Sequence, residues 1–231
     1  MSAVWRFFQE YGEEILEHTY QHVYLTFVAV VVAVIIALPL GIYLTRCRWQ
    51  RLISAVLGAA SVIQTIPGLA LVALIGLLFL RLREAQIVSL ETVGVLPALV
   101  ALVLYALLPI LRNTYTGIRQ VDPSVIEVAT GMGMRRRQVL FSIELPLSLP
   151  VIMAGIRIAT VWTIGIATLC SLIGGGGLGD LIFKGLRSYH VRYLLAGTLP
   201  AASLALIFDW ILGRTERWLT PLGLRNGRAE T

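Results

Sequence analysis

Along most of this chain, apolar residues neither alternate with polar ones nor recur on one helical face; they run on unbroken. An element that is apolar all round is buried in a large core or in a membrane. Five such runs stand out: 24–44, 52–80, 93–111, 150–173 and 194–212. About 20 residues at 1.5 Å rise cross a hydrocarbon core of about 30 Å, so each reads as a membrane span. The second run is too long for one straight helix and carries Pro67-Gly68 inside it. Two separate spans would need a two-residue hairpin with unpaired backbone groups in the membrane, so a single kinked helix is expected. The pattern predicts an all-α, polytopic membrane protein with a five-span core.

Composition agrees with that class. Of 231 residues, 57% are hydrophobic and 14% charged, against about 25% charged in soluble domains. The net charge of +6 then reads as the basic loops of a membrane protein, and no nucleic-acid partner is expected. With the N-terminus outside, the internal segments carry Arg46, Arg48, Arg51, Arg112, Arg119, Arg135, Arg136, Arg137, Arg214, Arg217, Arg225 and Arg228. The external ones carry Arg6, Arg81, Arg83, Lys184, Arg187 and Arg192, half as many. This bias predicts an external N-terminus and a cytoplasmic C-terminus. Residues 1–19 lack a signal-peptide pattern, having one basic residue and several acids ahead of the apolar run. Their helical spacing of Trp5, Phe8, Tyr11 and Ile15 suits an interfacial segment. Cys47 and Cys170 form no disulfide or metal framework. His18 and His22 have metal-ligand spacing but no third ligand, and all three histidines fall outside the predicted spans.

The connection 112–149 is the longest polar one, and the orientation puts it in the cytoplasm. Asp122-Pro123 is a helix start, and Ser124 with Glu127 fits a capping box one or two residues later. Gly131 and Gly133 interrupt that helix, and residues 135–141 can resume as a second short one. Two short helices joined at a glycine make a knob that could sit in a groove of another protein and convey its movement. The same residues are equally explained by a capped and terminated helix. The pattern Glu127-Val128-Ala129, three residues, Gly133, nine residues, Ile143-Glu144-Leu145-Pro146 resembles the EAA loop of binding-protein-dependent ABC importer permeases. Val128 stands where the second Ala is usual. The resemblance implies the type I importer fold, similar to methionine permeases, over residues 20–213, followed by a cytoplasmic tail 214–231. It also implies docking of Glu127, Val128, Ala129, Gly131, Met132 and Gly133 on an ATPase subunit, with Ile143, Leu145 and Pro146 completing the motif. ATP and Mg would be held by that partner, with no cofactor or metal in this chain. A second permease subunit, an external solute-binding protein and a bacterial inner-membrane location are implied as well.

Three further stretches resemble the osmoprotectant branch of that family, which takes glycine betaine, choline and carnitine. They are Ile-Gln-Thr-Ile-Pro at 63–67, Tyr-Ala-Leu-Leu-Pro-Ile-Leu-Arg-Asn-Thr at 105–114, and Ile-Gly-Gly-Gly-Gly-Leu-Gly-Asp at 173–180. Glycine-rich features like the third occur in methionine permeases too, which leaves another small solute as the alternative. Gly174, Gly175, Gly176, Gly177 and Gly179 suit either a tight external turn or a gate. Lys184 is followed by Gly185, so no phosphate-binding loop is present and the chain is expected to have no ATPase site. A quaternary amine is held by aromatic faces, which nominates Trp162 and Tyr105 in the spans as path residues; packing is their ordinary role. Arg157 and Asp209 are the ionisable residues inside spans, each toward the cytoplasmic side, where a structural pair is expected. No carboxylate sits at a span centre and no inverted repeat is apparent, which disfavours a proton- or ion-coupled secondary transporter or a channel. A membrane-embedded enzyme would need a His, Asp or Glu cluster at one depth.

Overall fold

The computed structural model describes residues 3–86 and 91–220. The described residues form helices α1 (Ala3–Arg46), α2 (Gln50–Thr65), α3 (Gly68–Glu84), α4 (Val95–Arg119), α5 (Pro123–Gly131), α6 (Arg136–Val139), α7 (Leu145–Cys170), α8 (Gly179–Arg187) and α9 (Val191–Leu219). A π-helical turn, Leu140–Glu144, joins α6 to α7 without a break. Residues 135–141 are therefore the entry to the next long helix, not a separate short one. Among the described residues, four helical stretches are long and apolar enough to cross a membrane: Tyr11–Arg46, Val95–Arg119, Arg136–Ile173 and Val191–Leu219. The α2–α3 pair makes a fifth if counted as one broken span. At 44 residues, α1 is about 66 Å long, roughly twice the hydrocarbon thickness. It extends the first apolar run and the amphipathic N-terminal stretch as one helix.

Helix α4 is the centre of the bundle, packed along both α1 and α7. Small side chains set that closeness. Ala29, Ala33 and Ala37, four residues apart on α1, are wholly buried. A Cβ on Gly41, the next in the series, would lie 2.7 Å from Thr114 of α4. From the other side, a Cβ on Gly155 of α7 would fall 2.6 Å from Asn113 and 2.7 Å from the Pro109 carbonyl. Lipid tails are as apolar as leucine, so helices in a membrane gain from close backbone approach instead of from expelling water. Two buried clusters result. One gathers Leu25, Leu71, Val72, Leu102, Tyr105 and Cys170. The other gathers Leu44, Ile53, Ile110, Leu111 and Ala159.

The second apolar run departs from the single kinked helix expected of it. Helices α2 and α3 meet at 105°, a right-angle break. A proline drives the residue before it into extended backbone, and Ile66 adopts φ −70°, ψ 126°. The unpaired groups that argued against such a break are provided for. The Tyr105 hydroxyl donates to the Ile66 carbonyl, and Gln64 Nε2 donates to the Tyr105 carbonyl at 3.4 Å. Tyr105 is thus buried with its polar end committed inside the subunit.

Because Tyr105 alone answers the Ile66 carbonyl from α4, Tyr105→Phe should destabilise the protein by about 1–3 kcal/mol, the cost of an unsatisfied buried acceptor. A thermal-unfolding midpoint in detergent equal to that of the unsubstituted protein would refute the clamp.

Candidate coupling surface and translocation path

The polar connection folds as a knob rooted on α6. Asp122 caps α5, its Oδ1 accepting from the Ser124 amide and from the Ser124 hydroxyl, both at 2.8 Å. The backbone bond, then the hydroxyl bond, hold its carboxyl below the usual carboxylate range. Pro123 occupies the first turn; Ser124 serves as a donor to the cap, and no Ser124–Glu127 capping box forms at the start. Helix α5 ends at Gly131, and Gly133 takes φ +84°, a left-handed geometry suited to glycine. Ala129 is turned inward and buried. Glu127, Gly131 and Gly133 are exposed, and Val128 and Met132 are 62% and 71% exposed. Arg135, Arg136 and Arg137 are exposed beside them, as is Phe141. Ile143, Leu145 and Pro146 are half-buried in the root. Two large apolar side chains, Val128 on the helix and Met132 at its C-cap, are thus exposed beside the acid Glu127.

Under the knob lies a contact that the sequence did not disclose. Glu144 is buried, and its carboxylate pairs with the Arg46 guanidinium at the last residue of α1. The carboxyl falls between apolar Ile143 and Leu145 in the motif; a carboxylate flanked by inward-facing apolar residues is the signal that it needs a cationic partner. The partner could not be read, because Arg46 is indistinguishable from the other loop arginines.

At the opposite end, Gly174, Gly176 and Gly177 have φ of +74°, +76° and +85°. The turn they make folds back on α1. The Gly177 amide donates to Gln21 Oε1 at 3.1 Å. His22 is wholly buried with Nε2 3.0 Å from the Ile164 carbonyl, which places the proton on Nε2. Its membership of α1's apolar stretch corrects the expectation that every histidine lies outside the spans; the run of apolar letters started at Tyr24 only because Gln21 and His22 face inward. A Cβ on Gly175 would lie 2.9 Å from Ala98 and one on Gly179 only 2.0 Å from the Thr168 carbonyl, so these two glycines allow contact. Beyond the turn, α8 is tied to α1 by Lys184 Nζ on Glu14 Oε1 at 2.7 Å. His18 Nδ1 lies 3.7 Å from Asp180 Oδ2. Hydrogen bonding to Glu14, then to Tyr193, raises the Lys184 pKa, and burial, opposed by His18 and Arg187, raises that of Asp180.

Arg157 of α7 meets Asp209 and Glu216 of α9. Its Nε and one terminal nitrogen donate to the two Asp209 oxygens at 3.0 and 2.9 Å, and its other terminal nitrogen to Glu216 Oε2 at 3.2 Å. This fork-to-fork geometry is the strong form of the pair. Trp162, 50% exposed, lines a surface cavity with Ala154, Arg157, Ile158, Val161 and Asp209. On the other flank of the same helices, Ile156 and Thr160 join Phe27, Val31, Phe208 and Ile211 in a groove that is almost wholly apolar. Helices α7 and α9 thus carry a charged, aromatic side and a greasy one. Tyr105 and Trp162 are not brought together: one is core, the other surface.

A helical body with four or five candidate spans and an exposed knob is the form of a polytopic membrane protein. Residues 37–221 match the model of the family described as binding-protein-dependent transport system inner membrane component, and the chain belongs to that family. It is a multi-pass inner-membrane permease subunit of an ABC importer, which works with ATPase and solute-binding partners. It is 44% identical over 228 residues to the carnitine transport permease protein OpuCB of Listeria monocytogenes, covering 99% of this chain and 98% of that one. It is likewise 44% identical over 225 residues to the choline transport system permease protein OpuBB of Bacillus subtilis, covering 97% of each. A third relative at 44%, again covering 97% of each chain, is the B. subtilis glycine betaine/carnitine/choline permease OpuCB. Among solved structures, the inward-facing MetNI methionine ABC transporter superposes with a TM-score of 0.77 at 20% identity, covering 90% of this chain and 97% of that one. The methionine-permease-like fold expected from the EAA motif is therefore the fold adopted.

Gly177 combines positive φ with a Cβ position 3.0 Å from His22 Nδ1, whereas nothing lies within 4 Å of a Cβ on Gly165. Gly177→Ala should cost at least about 1 kcal/mol in strain alone, while Gly165→Ala should be neutral or slightly stabilising. Equal unfolding midpoints for the two variants would contradict the packed turn.

Proposed function

We propose that this permease imports a quaternary-amine osmoprotectant of the glycine betaine, choline and carnitine group. The observation that carries the reading is 44% identity, over nearly the whole length, to permeases of three systems named for those solutes. Likeness to the methionine transporter is at 20% identity and speaks for fold alone.

In this reading the N-terminus is external and the C-terminus cytoplasmic, as the arginine bias favours. Two permease subunits, identical or related, enclose the path. Glu127, Val128, Met132 and Gly133 enter a cleft on the ATPase, with Ala129 and Gly131 shaping the helix and Ile143, Leu145 and Pro146 anchoring its root. Closure of the ATPase pair on ATP pulls the knob and shifts the spans from inward- to outward-open. The glycine turn at 174–179 serves as the external gate, since its bond to Gln21 and its packing on His22 join α1 to α8 there. Trp162 lines the path. Its face is open, and it neighbours the Arg157–Asp209–Glu216 cluster, which would be costly against lipid. A permanent cation is attracted to an indole face by about 0.5–2 kcal/mol, enough to guide passage without trapping. Tyr105 contributes to the path wall through the α2–α3 break that it holds.

Proteoliposomes containing the permease, its ATPase and its solute-binding protein should accumulate labelled glycine betaine, choline or carnitine only with internal ATP. Uptake of methionine in place of these solutes would overturn the substrate assignment. Glu127→Arg should abolish that uptake by removing the ATPase from the complex, and undiminished uptake would disprove the docking role.

A further inference from the structure

We propose that Arg46 and Glu144 are positioning residues for coupling: their ion pair transmits movement of the knob to the first span. The proposal rests on the reading of the knob as the ATPase-docking element.

The case begins with burial. The Glu144 side chain is 3% exposed, whereas Arg46, its partner, is 48% exposed. A buried carboxylate deprived of its counter-charge is strongly disfavoured, so Glu144 keeps Arg46, and with it the end of α1, at the knob's root. The two lie far apart in the chain. Arg46 is the final residue of α1, and Glu144 is the last residue of the π-helical turn between α6 and α7. Such turns widen a helix locally and recur where function requires it. Arg46 also faces the knob itself, in a cavity whose walls include Ile126 and Thr130 of α5 and Arg136 of α6.

Two features make this a link and not merely a brace. Helix α5 packs chiefly on α6, so force applied to the exposed knob passes first to α6 and the π turn that carries Glu144. And α1 runs as one helix from Ala3 to Arg46, with Pro39 two turns before its end, and meets the glycine turn near its midpoint through Gln21 and His22. A pull on Glu144 is passed to Arg46 and along α1 to the turn packed near that helix's midpoint. Helix α7, continuous with the π turn, offers a second route to that turn, but the Arg46–Glu144 link is the one that a charge change can disconnect.

The test uses the complete transporter in proteoliposomes, with solute accumulated per ATP hydrolysed as the readout and the yield of assembled complex as the control. Glu144→Gln keeps size and a hydrogen bond but removes the charge. It should leave assembly and binding-protein-stimulated hydrolysis within about twofold while lowering solute per ATP about tenfold, the size of an ordinary coupling between sites. Arg46→Gln, at a half-exposed position, should do the same and serves if Glu144→Gln does not assemble. The exchange R46E/E144R should recover at least half of the ratio. A ratio unchanged in an assembled charge-neutral variant, or no recovery on exchange, overturns the link while leaving the permease reading intact. A bare brace gives the former result, with uptake and hydrolysis falling together. Absence of ATP-driven uptake by the unsubstituted complex overturns both.

Discussion

Close approach to α4 is the condition on which the remaining structure depends. Where solvent is hydrocarbon, burying a leucine gains little, and helices hold together by letting backbones near one another. The series Ala29, Ala33, Ala37 and Gly41 on α1 does this from one side, and Gly155 with Ala159 of α7 does it from the other. A helix gripped on two sides can then offer fixed side chains to irregular backbone elsewhere. Tyr105 holds the Ile66 carbonyl from the stretch of α4 where Ala98, Ala101 and Leu102 are buried. The right-angle break between α2 and α3 is therefore a consequence of tight packing one helix away. Backbone that leaves helical geometry at membrane depth persists only where protein satisfies it.

Polar groups follow the same logic. Arg157 is matched by two carboxylates, and Gly213 leaves room for its guanidinium, since a Cβ there would lie 3.2 Å from Cζ. The ion cluster with a half-exposed indole beside it gives α7 and α9 one charged face, while their other face forms an apolar groove.

Much of this was legible in the residues, and the rest was not for identifiable reasons. Apolar runs gave the class and approximate placement of the long helices, because a membrane demands continuous stretches. The Asp122-Pro123 start and the Gly133 stop were readable because capping is local chemistry. The Arg157–Asp209 pair was expected from the rarity of charge at that depth, though Glu216 lies beyond the predicted span and was not added to it. What failed were features decided by a distant partner. Pro67-Gly68 was read as a kink because nothing nearby could satisfy the freed carbonyl, and the answer came from Tyr105, 39 positions on. His22 was set outside the first span because hydropathy sees only polarity, not that α8 and the glycine turn cover that side of α1. Arg46 was counted among the loop arginines, and the number of such residues says nothing about which has a buried acid waiting for it.

These distant pairings share a pattern that bears on mechanism. Each joins a place where the backbone stops being an ordinary α-helix to a side chain on a continuous one. The α2–α3 break is held by α4, the glycine turn by α1, and the π turn again by α1. Regular helix resists deformation through its hydrogen bonds four apart, whereas breaks, π turns and left-handed glycines are where a small displacement can be absorbed. A subunit that must alternate between two shapes while keeping its hydrocarbon-facing wall intact is best built this way, with stiff rods and a few compliant joints. Helix α1 touches two of those joints, the π turn at its C-terminal end and the glycine turn near its midpoint, and its role is therefore more than that of a lipid-facing brace.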